Sequence, residues 1–291
     1  MKKLLYRLLS AALLCLLLST TAFADMGPKE SVQITLEGLG DRPCYATLLS
    51  QEDSTGPASA WDGVSEPEAW MLPGGDRARE AFYAFGNYQD PDGMYFLCQV
   101  FEVREGSFTW GYYPPGTFRV LLYFPDTGEL TAGERLQRYA FESSFRASLQ
   151  ADGSLGTFTL GHFEKTNGLL DQIPGFLLRL GLTLAVELLL ALAFGYRNRQ
   201  SLGLIFKVNL ITQVLLNLIL ALELYYRGGG FFYFTHVVLL ELAVFAVEGG
   251  VYAGNLPRRC PERPRAGLAW LYALTANLAS FGLGLMLDKV L

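Results

Sequence analysis

The chain has 291 residues, enough for one large or two ordinary domains, and 51% of them are hydrophobic, a composition that leans toward the membrane class. Its formal net charge of −5 conceals a split, because Asp25 to Leu170 carries 21 acidic and 10 basic side chains while the remainder consists of long apolar runs broken by arginine-rich loops. The acidic half argues against a nucleic-acid partner, which would need a basic face over the phosphates.

At the start, Lys2, Lys3 and Arg7 precede an apolar stretch from Leu8 to Ser19 and the small-residue pattern Ala22-Phe23-Ala24. This order predicts a cleaved signal peptide over residues 1–24. The apolar run is too short for a spanning helix, which needs about 20 residues. Leu14 is too large to precede a lipid-modified cysteine at Cys15. The expectation is therefore an extracytoplasmic domain over residues 25–170.

Within that domain Val32, Ile34 and Leu36 alternate with Gln33, Thr35 and Glu37, which predicts a half-buried strand. Cys44 to Leu49, Tyr95 to Val103, Phe108 to Tyr112, Phe118 to Phe124, Tyr139 to Ala147 and Thr157 to Phe163 are further strand candidates, rich in aromatic and β-branched residues. Seven short strands suit an antiparallel sandwich. Asp90-Pro91-Asp92-Gly93 and Pro125-Asp126-Thr127-Gly128 carry tight-turn chemistry. Asp90 and Asp92 also invite a calcium reading, but the position an EF-hand reserves for its bidentate glutamate is Gln99. Gln51 to Asp76 reads as a mobile loop or a ligand-facing insertion, and Arg77 to Phe85 as a short helix.

Trp110, Tyr112 and Tyr113 are candidate binding aromatics, since such rings supply large rigid contact area. Ordinary strand packing is the alternative for Phe108, Trp110 and Tyr112, which share one face. Cys44 and Cys98 are the two cysteines of the exported part and form either a disulfide or a pair of buried thiols. A bridge would close a loop of about 54 residues and contribute roughly 4 kcal/mol. No cysteine has a histidine at metal-ligand spacing, so neither a metal site nor a cofactor is expected.

Four apolar stretches follow, at 175–194, 202–225, 231–253 and 267–287, each long enough to span a bilayer. They form a predicted transmembrane domain over residues 171–291. Arg197 and Arg199 mark loop 196–201 as cytoplasmic, and Arg258, Arg259, Arg263 and Arg265 do the same for loop 255–266. The C-terminus then lies outside, the same topology that export of residues 25–170 demands.

Hydrocarbon should exclude several side chains that these spans contain: Glu187, Asn209, Thr212, Gln213, Asn217, Glu241, Glu248, Asn277 and Ser280. Asn209, Gln213 and Asn217 repeat every four residues and Glu241 and Glu248 lie seven apart, so each set shares a helix face. Glu187, Asn209, Gln213, Glu241 and Asn277 lie about 7 to 12 residues from the cytoplasmic loops, or roughly 10 to 18 Å deep. One inward polar layer is expected, acting as interhelical hydrogen-bond glue or as an ion pathway. His162 and His236 are the only histidines, which leaves no histidine-based catalytic set.

Taken together, the ITLEGL start with CYATLLS after it, FTWGYYPPGTFRVLLYFP, ELLLALAFGYRNR, NLITQVLLN and LELAVFAVEGGVY resemble an uncharacterised family of Gram-positive bacterial membrane proteins. That resemblance covers nearly the whole mature chain and implies an architecture, with no activity and no site residues. The TFRVLLYFPDTGEL hairpin is similar to strands of Ig-like and transthyretin-like sandwiches, which concerns fold alone. The sequence thus predicts an α+β multidomain protein, an Ig-like or transthyretin-like β-sandwich followed by a four-helix transmembrane bundle. Its expected partners are the lipid bilayer and an envelope protein or small ligand. The alternative function is a small proton- or cation-coupled transporter or channel-like subunit that uses the intramembrane glutamates.

Overall fold

The computed structural model describes residues 28–61, 63–69, 71–152, 157–260 and 265–287. The predicted signal peptide and Cys15 lie outside the described residues. Two compact units divide the chain, a β-rich unit over Lys29–Gly168 and a helical unit that begins at Leu169.

In the β-rich unit the strands are β1 (Ser31–Glu37), β2 (Tyr45–Ser50), β3 (Ser54–Thr55), β4 (Ala58–Ser59), β5 (Phe101–Glu102), β6 (Ser107–Trp110), β7 (Thr117–Phe124), β8 (Glu129–Gln137), β9 (Glu142–Asp152), β10 (Thr157–Leu160) and β11 (Glu164–Lys165). One sheet has the order β10-β9-β1-β6 with β11 also on β9, the other β5-β2-β7-β8, and β3 pairs with β4. The sheets pack through a shared core of Val32, Ile34 and Leu36 from β1, Phe145 from β9, and Leu48, Val120 and Leu122 from β2 and β7. The antiparallel expectation fails at one pairing. β1 runs parallel to β9, from Ser31 opposite Glu142 to Glu37 opposite Ser148. Parallel neighbours need a long crossover, and here the intervening chain builds the second sheet.

β2 and β7 are buried almost throughout, because their sheet is covered on both faces. A helix, α1 (Asp76–Asn87), lays Ala81, Phe82 and Phe85 on the face that carries Leu49, Leu121 and Tyr123. Strands covered on both sides read as continuous apolar runs rather than alternations. Part of the Gln51–Asp76 segment is ordered by the same layer, with Trp61 against Phe82 at a ring distance of 5.5 Å and over Gly86, where a Cβ would come within 2.5 Å of the indole.

Two strand expectations change. Tyr95–Val103 contributes only β5, since Cys98 takes a left-handed φ of 57° that breaks an extended run. β8 lacks a clean alternation and is missed by periodicity, its register shifting against β7 between Arg119 and Leu121. Gly133 of β8 leaves room for Phe163, whose ring a Cβ there would approach to 2.7 Å.

Asp90 builds its turn by accepting from the backbone N–H of Asp92 at 2.9 Å. Arg119 pairs with Asp90 at 3.1 Å and also with Asp92, so both carboxylates are matched by one guanidinium. Asp126 pairs with Arg42 at 2.6 Å, which holds its carboxyl below the usual carboxylate range.

The helical unit opens with a 3₁₀ turn, Leu169–Gln172, and continues through α2 (Ile173–Ala193), α3 (Arg199–Arg227), α4 (Phe231–Arg259) and α5 (Ala266–Leu287). All four are long and apolar enough to cross a membrane. α4 runs past the expected boundary at Ala253 and absorbs the first residues of the predicted loop. α2 ends on Gly195, whose φ of 90° permits the paired bonds Tyr196 N–H to Ala191 O and Gly195 N–H to Leu192 O, a Schellman termination. α3 is then capped by Asn198, which accepts from the Ser201 N–H at 2.7 Å.

Candidate functional site

The helical unit inverts the polarity of a water-soluble fold. Leu189, Ile211, Leu215, Leu239, Leu242 and Leu278 are exposed, whereas Glu187, Ser201, Asn209, Gln213, Glu248, Asn277 and Ser280 are buried. Without water in a bilayer, such groups must find partners among themselves.

Glu248 of α4 is the hub. Its Oε1 is 2.6 Å from Thr212 Oγ1 of α3, and its Oε2 accepts from Asn277 Nδ2 of α5 at 2.7 Å. One carboxyl therefore ties three helices. Glu187 of α2 accepts from Ser280 Oγ of α5 at 2.8 Å, and the Tyr272 hydroxyl of α5 donates to the Glu187 carbonyl at 3.2 Å. Tyr252 of α4 donates to Asn209 Oδ1 of α3 at 2.9 Å. Both Glu187 and Glu248 are 0% exposed. Around them Tyr196, Tyr252 and Tyr272 are fully buried, Tyr272 lying 5.6 Å by ring centroid from each of the other two.

The expected polar residues thus separate into two groups. Glu187, Asn209, Glu248 and Asn277 are drawn into interhelical bonds. Gln213 is buried, but its bonds with Asn217 stay within α3, where Asn217 Nδ2 donates to the Gln213 carbonyl at 2.8 Å. Glu241 is half-buried and makes no hydrogen bond among the described residues. Residue type and spacing missed Tyr252 and Tyr272, because a tyrosine in an apolar run looks like filler, whereas the expected Thr212 and Ser280 are both drawn into bonds between helices. The pair of Glu223 on α3 and His236 on α4, 2.5 Å apart, was missed as well, since a lone histidine carries no partner signal.

In the β-rich unit the three candidate aromatics divide. Trp110 is 3% exposed and belongs to the core between the sheets, with its indole N–H donating to the Tyr112 carbonyl at 3.0 Å. Tyr112 and Tyr113 are 43% and 52% exposed and meet edge to face at 4.7 Å. Tyr113 is held at a left-handed φ of 48°. Thr55 Oγ1 donates to its carbonyl at 3.0 Å, and its ring lies on Gly56, where a Cβ would come within 2.5 Å. Beside it is a polar cleft of about 210 Å³ whose lining includes Ser50, Gln51, Thr55, Thr117, Gln137 and Arg138. Lys29 stands over the Tyr112 ring at 5.3 Å.

Cys44 and Cys98 are not bonded. Cys44 belongs to the core between the sheets, Cys98 to the cluster under α1, so the β2–β7 layer separates the two thiols. Burial pushes the Cys44 thiol up to about 12 and the Cys98 thiol to about 11, which disfavours the reactive thiolate. Among the described residues no cluster of three or more His, Cys, Asp or Glu side chains could hold a metal ion.

Four long apolar helices with outward aliphatic surface and an inward polar network define a multi-pass membrane protein with a β-rich N-terminal region. No protein-family model, curated protein or solved structure matches the chain.

Proposed function

We propose that the chain is a cell-envelope membrane protein whose β-rich unit is extracytoplasmic and binds a ligand or partner, while the helical unit anchors it. The observation that carries this reading is the exposed Tyr112–Tyr113 pair beside the polar cleft. A non-glycine residue in left-handed conformation is a strain that surrounding structure must maintain, and here it presents a ring at the surface. Hydroxyls, amides and Arg138 next to two aromatic faces suit a hydroxyl-rich ligand such as an oligosaccharide. The orientation is supported by Arg197, Arg199, Arg258, Arg259 and Arg265, which cluster at the α2–α3 and α4–α5 connections.

The test is calorimetric titration of the full chain in lipid nanodiscs with envelope glycan fragments. Wild type should bind, and Tyr112→Ala with Tyr113→Ala should weaken binding at least about tenfold, equivalent to about 1.4 kcal/mol. Equal affinity of the two proteins, or no binding of any envelope fragment by wild type, contradicts the reading. The second reading, a proton- or cation-coupled transporter, draws on the buried Glu187 and Glu248 and the half-buried Glu241, none of which has a basic partner among the described residues. Flux through the reconstituted chain that Glu241→Gln abolishes would favour it.

A further inference from the structure

Close around Glu187 and Glu248 acceptors outnumber hydrogens, although the Asn209 amide group elsewhere in the same layer is a donor without an acceptor. Thr212 Oγ1 has one hydrogen and three acceptors in reach: Glu248 Oε1 at 2.6 Å, the Val208 carbonyl at 3.1 Å and the Asn209 carbonyl at 3.2 Å. Asn277 spends its amide group on Glu248 Oε2 at 2.7 Å and on the Ala273 carbonyl at 2.9 Å, which leaves its own Oδ1 buried with no donor. Glu187 receives Ser280 on Oε1, while its Oε2 is likewise buried without a partner. Asn277 and Ser280 are one turn apart on α5, so Glu248 from α4 and Glu187 from α2 bond to the same face of that helix.

The charge balance has the same deficit. Neither Glu187 nor Glu248 pairs with Lys, Arg or His among the described residues, and an isolated ionised carboxylate is among the costliest groups to place in an apolar interior. A hydrogen on Glu248 removes its charge, lets the carboxyl donate to Thr212 Oγ1, and frees the threonine hydroxyl to bond the Val208 carbonyl, as serine and threonine in helices commonly do.

We propose that Glu187 and Glu248 form a proton-binding site inside the bundle, both carboxyls carrying a hydrogen in this packing, so that the arrangement of α2 to α5 follows proton occupancy. The titratable groups facing the pair are Tyr272 from α5 and Glu241 and Tyr252 from α4; α3 presents the neutral Thr212 and Asn209. Deprotonation leaves buried charge with no countercharge and should loosen the bundle. This inference does not rest on ligand binding by the β-rich unit.

The test uses the full chain in lipid nanodiscs, with infrared spectra and thermal unfolding followed from acidic to alkaline pH. Wild type should show a carboxylic acid C=O band that is lost as pH rises, together with a fall in unfolding midpoint. Glu248→Gln and Glu187→Gln, which mimic the neutral form, should each weaken that band and flatten the pH dependence of the midpoint. A wild type without a carboxylic acid band, or with a midpoint set by sodium or potassium concentration instead of pH, overturns the proposal, the latter in favour of an alkali-cation site. Wild-type spectra decide the matter if a variant fails to fold.

Discussion

The carboxyl groups of the β-rich unit and the two fully buried glutamates of the helical unit are matched in opposite ways, with the Glu223–His236 pair the acid–base exception in the helices. In the β-rich unit acid meets base, at the surface for Asp126 with Arg42, Asp92 with Arg119 and Glu30 with Arg138, and beneath it for Asp90, whose side chain is 0% exposed against the same Arg119. In the helical unit Glu187 and Glu248 meet hydroxyl and amide groups, and each bond crosses between helices. The difference follows from solvent. Water stabilises separated charges and makes their pairing cheap and weak, whereas an apolar bundle favours polar groups satisfied by neutral partners.

That contrast can be broken at three levels, ordered by expected effect. Apolar burial should dominate both. Phe82→Ala removes a ring that is 0% exposed between α1 and the second sheet and should cost about 3–5 kcal/mol, read by denaturant unfolding of the β-rich signal. A loss below about 1 kcal/mol would mean that α1 is not an integral layer. Interhelical polar bonds come next. Thr212→Val retains shape and deletes the bond to Glu248, and should lower bundle stability by about 0.6–2 kcal/mol in bilayers; an unchanged midpoint would remove Glu248 from its place as the hub.

Surface ion pairs come last. Arg42 holds the Asp126 carboxyl below its ordinary value, so the pair contributes above the unfolded-state value and its contribution is lost as pH falls through the depressed one. Asp126 is 42% exposed on its side chain, and with solvent screening Asp126→Asn should cost at most about 1 kcal/mol and only above that range. A larger cost would show that the Arg42 stack on Phe124 and Phe158 depends on the carboxylate. Both thiols should resist maleimide labelling at neutral pH until the protein unfolds, because burial holds Cys44 and Cys98 protonated; rapid labelling of the folded chain would contradict their placement.

Local pattern made some of this legible. The alternation of Val32, Ile34 and Leu36 is the buried face of β1, and the four apolar runs are the four long helices, because each feature depends on residues adjacent in sequence. Pairings between distant segments left no such trace. Nothing in Ser31–Glu37 distinguishes a parallel neighbour from an antiparallel one, so the β1–β9 pairing was missed. The continuous apolar run of β7 could signal burial on both faces, but only the presence of α1 explains it. Cys44 and Cys98 were a candidate pair in sequence and lie on opposite sides of a sheet.

The candidate site was legible as a list and not as a geometry. Helical spacing placed Asn209, Gln213 and Asn217 on one face, yet only Asn209 reaches across to another helix. Glu241 and Glu248 share a face as well, and Glu248 alone is enclosed. Trp110, Tyr112 and Tyr113 were one aromatic cluster in sequence, but backbone turning at Tyr113 separates the core ring from the surface pair.

The inward polar network centred on Glu248 is tested most directly by a double-mutant cycle across its 2.7 Å bond to Asn277, using Glu248→Met, Asn277→Leu and the double variant in lipid bilayers. A favourable coupling of about 0.6–1.7 kcal/mol is expected for a bond that joins α4 to α5. Purely additive losses would contradict the account, leaving α4 and α5 held together at this level by apolar packing alone.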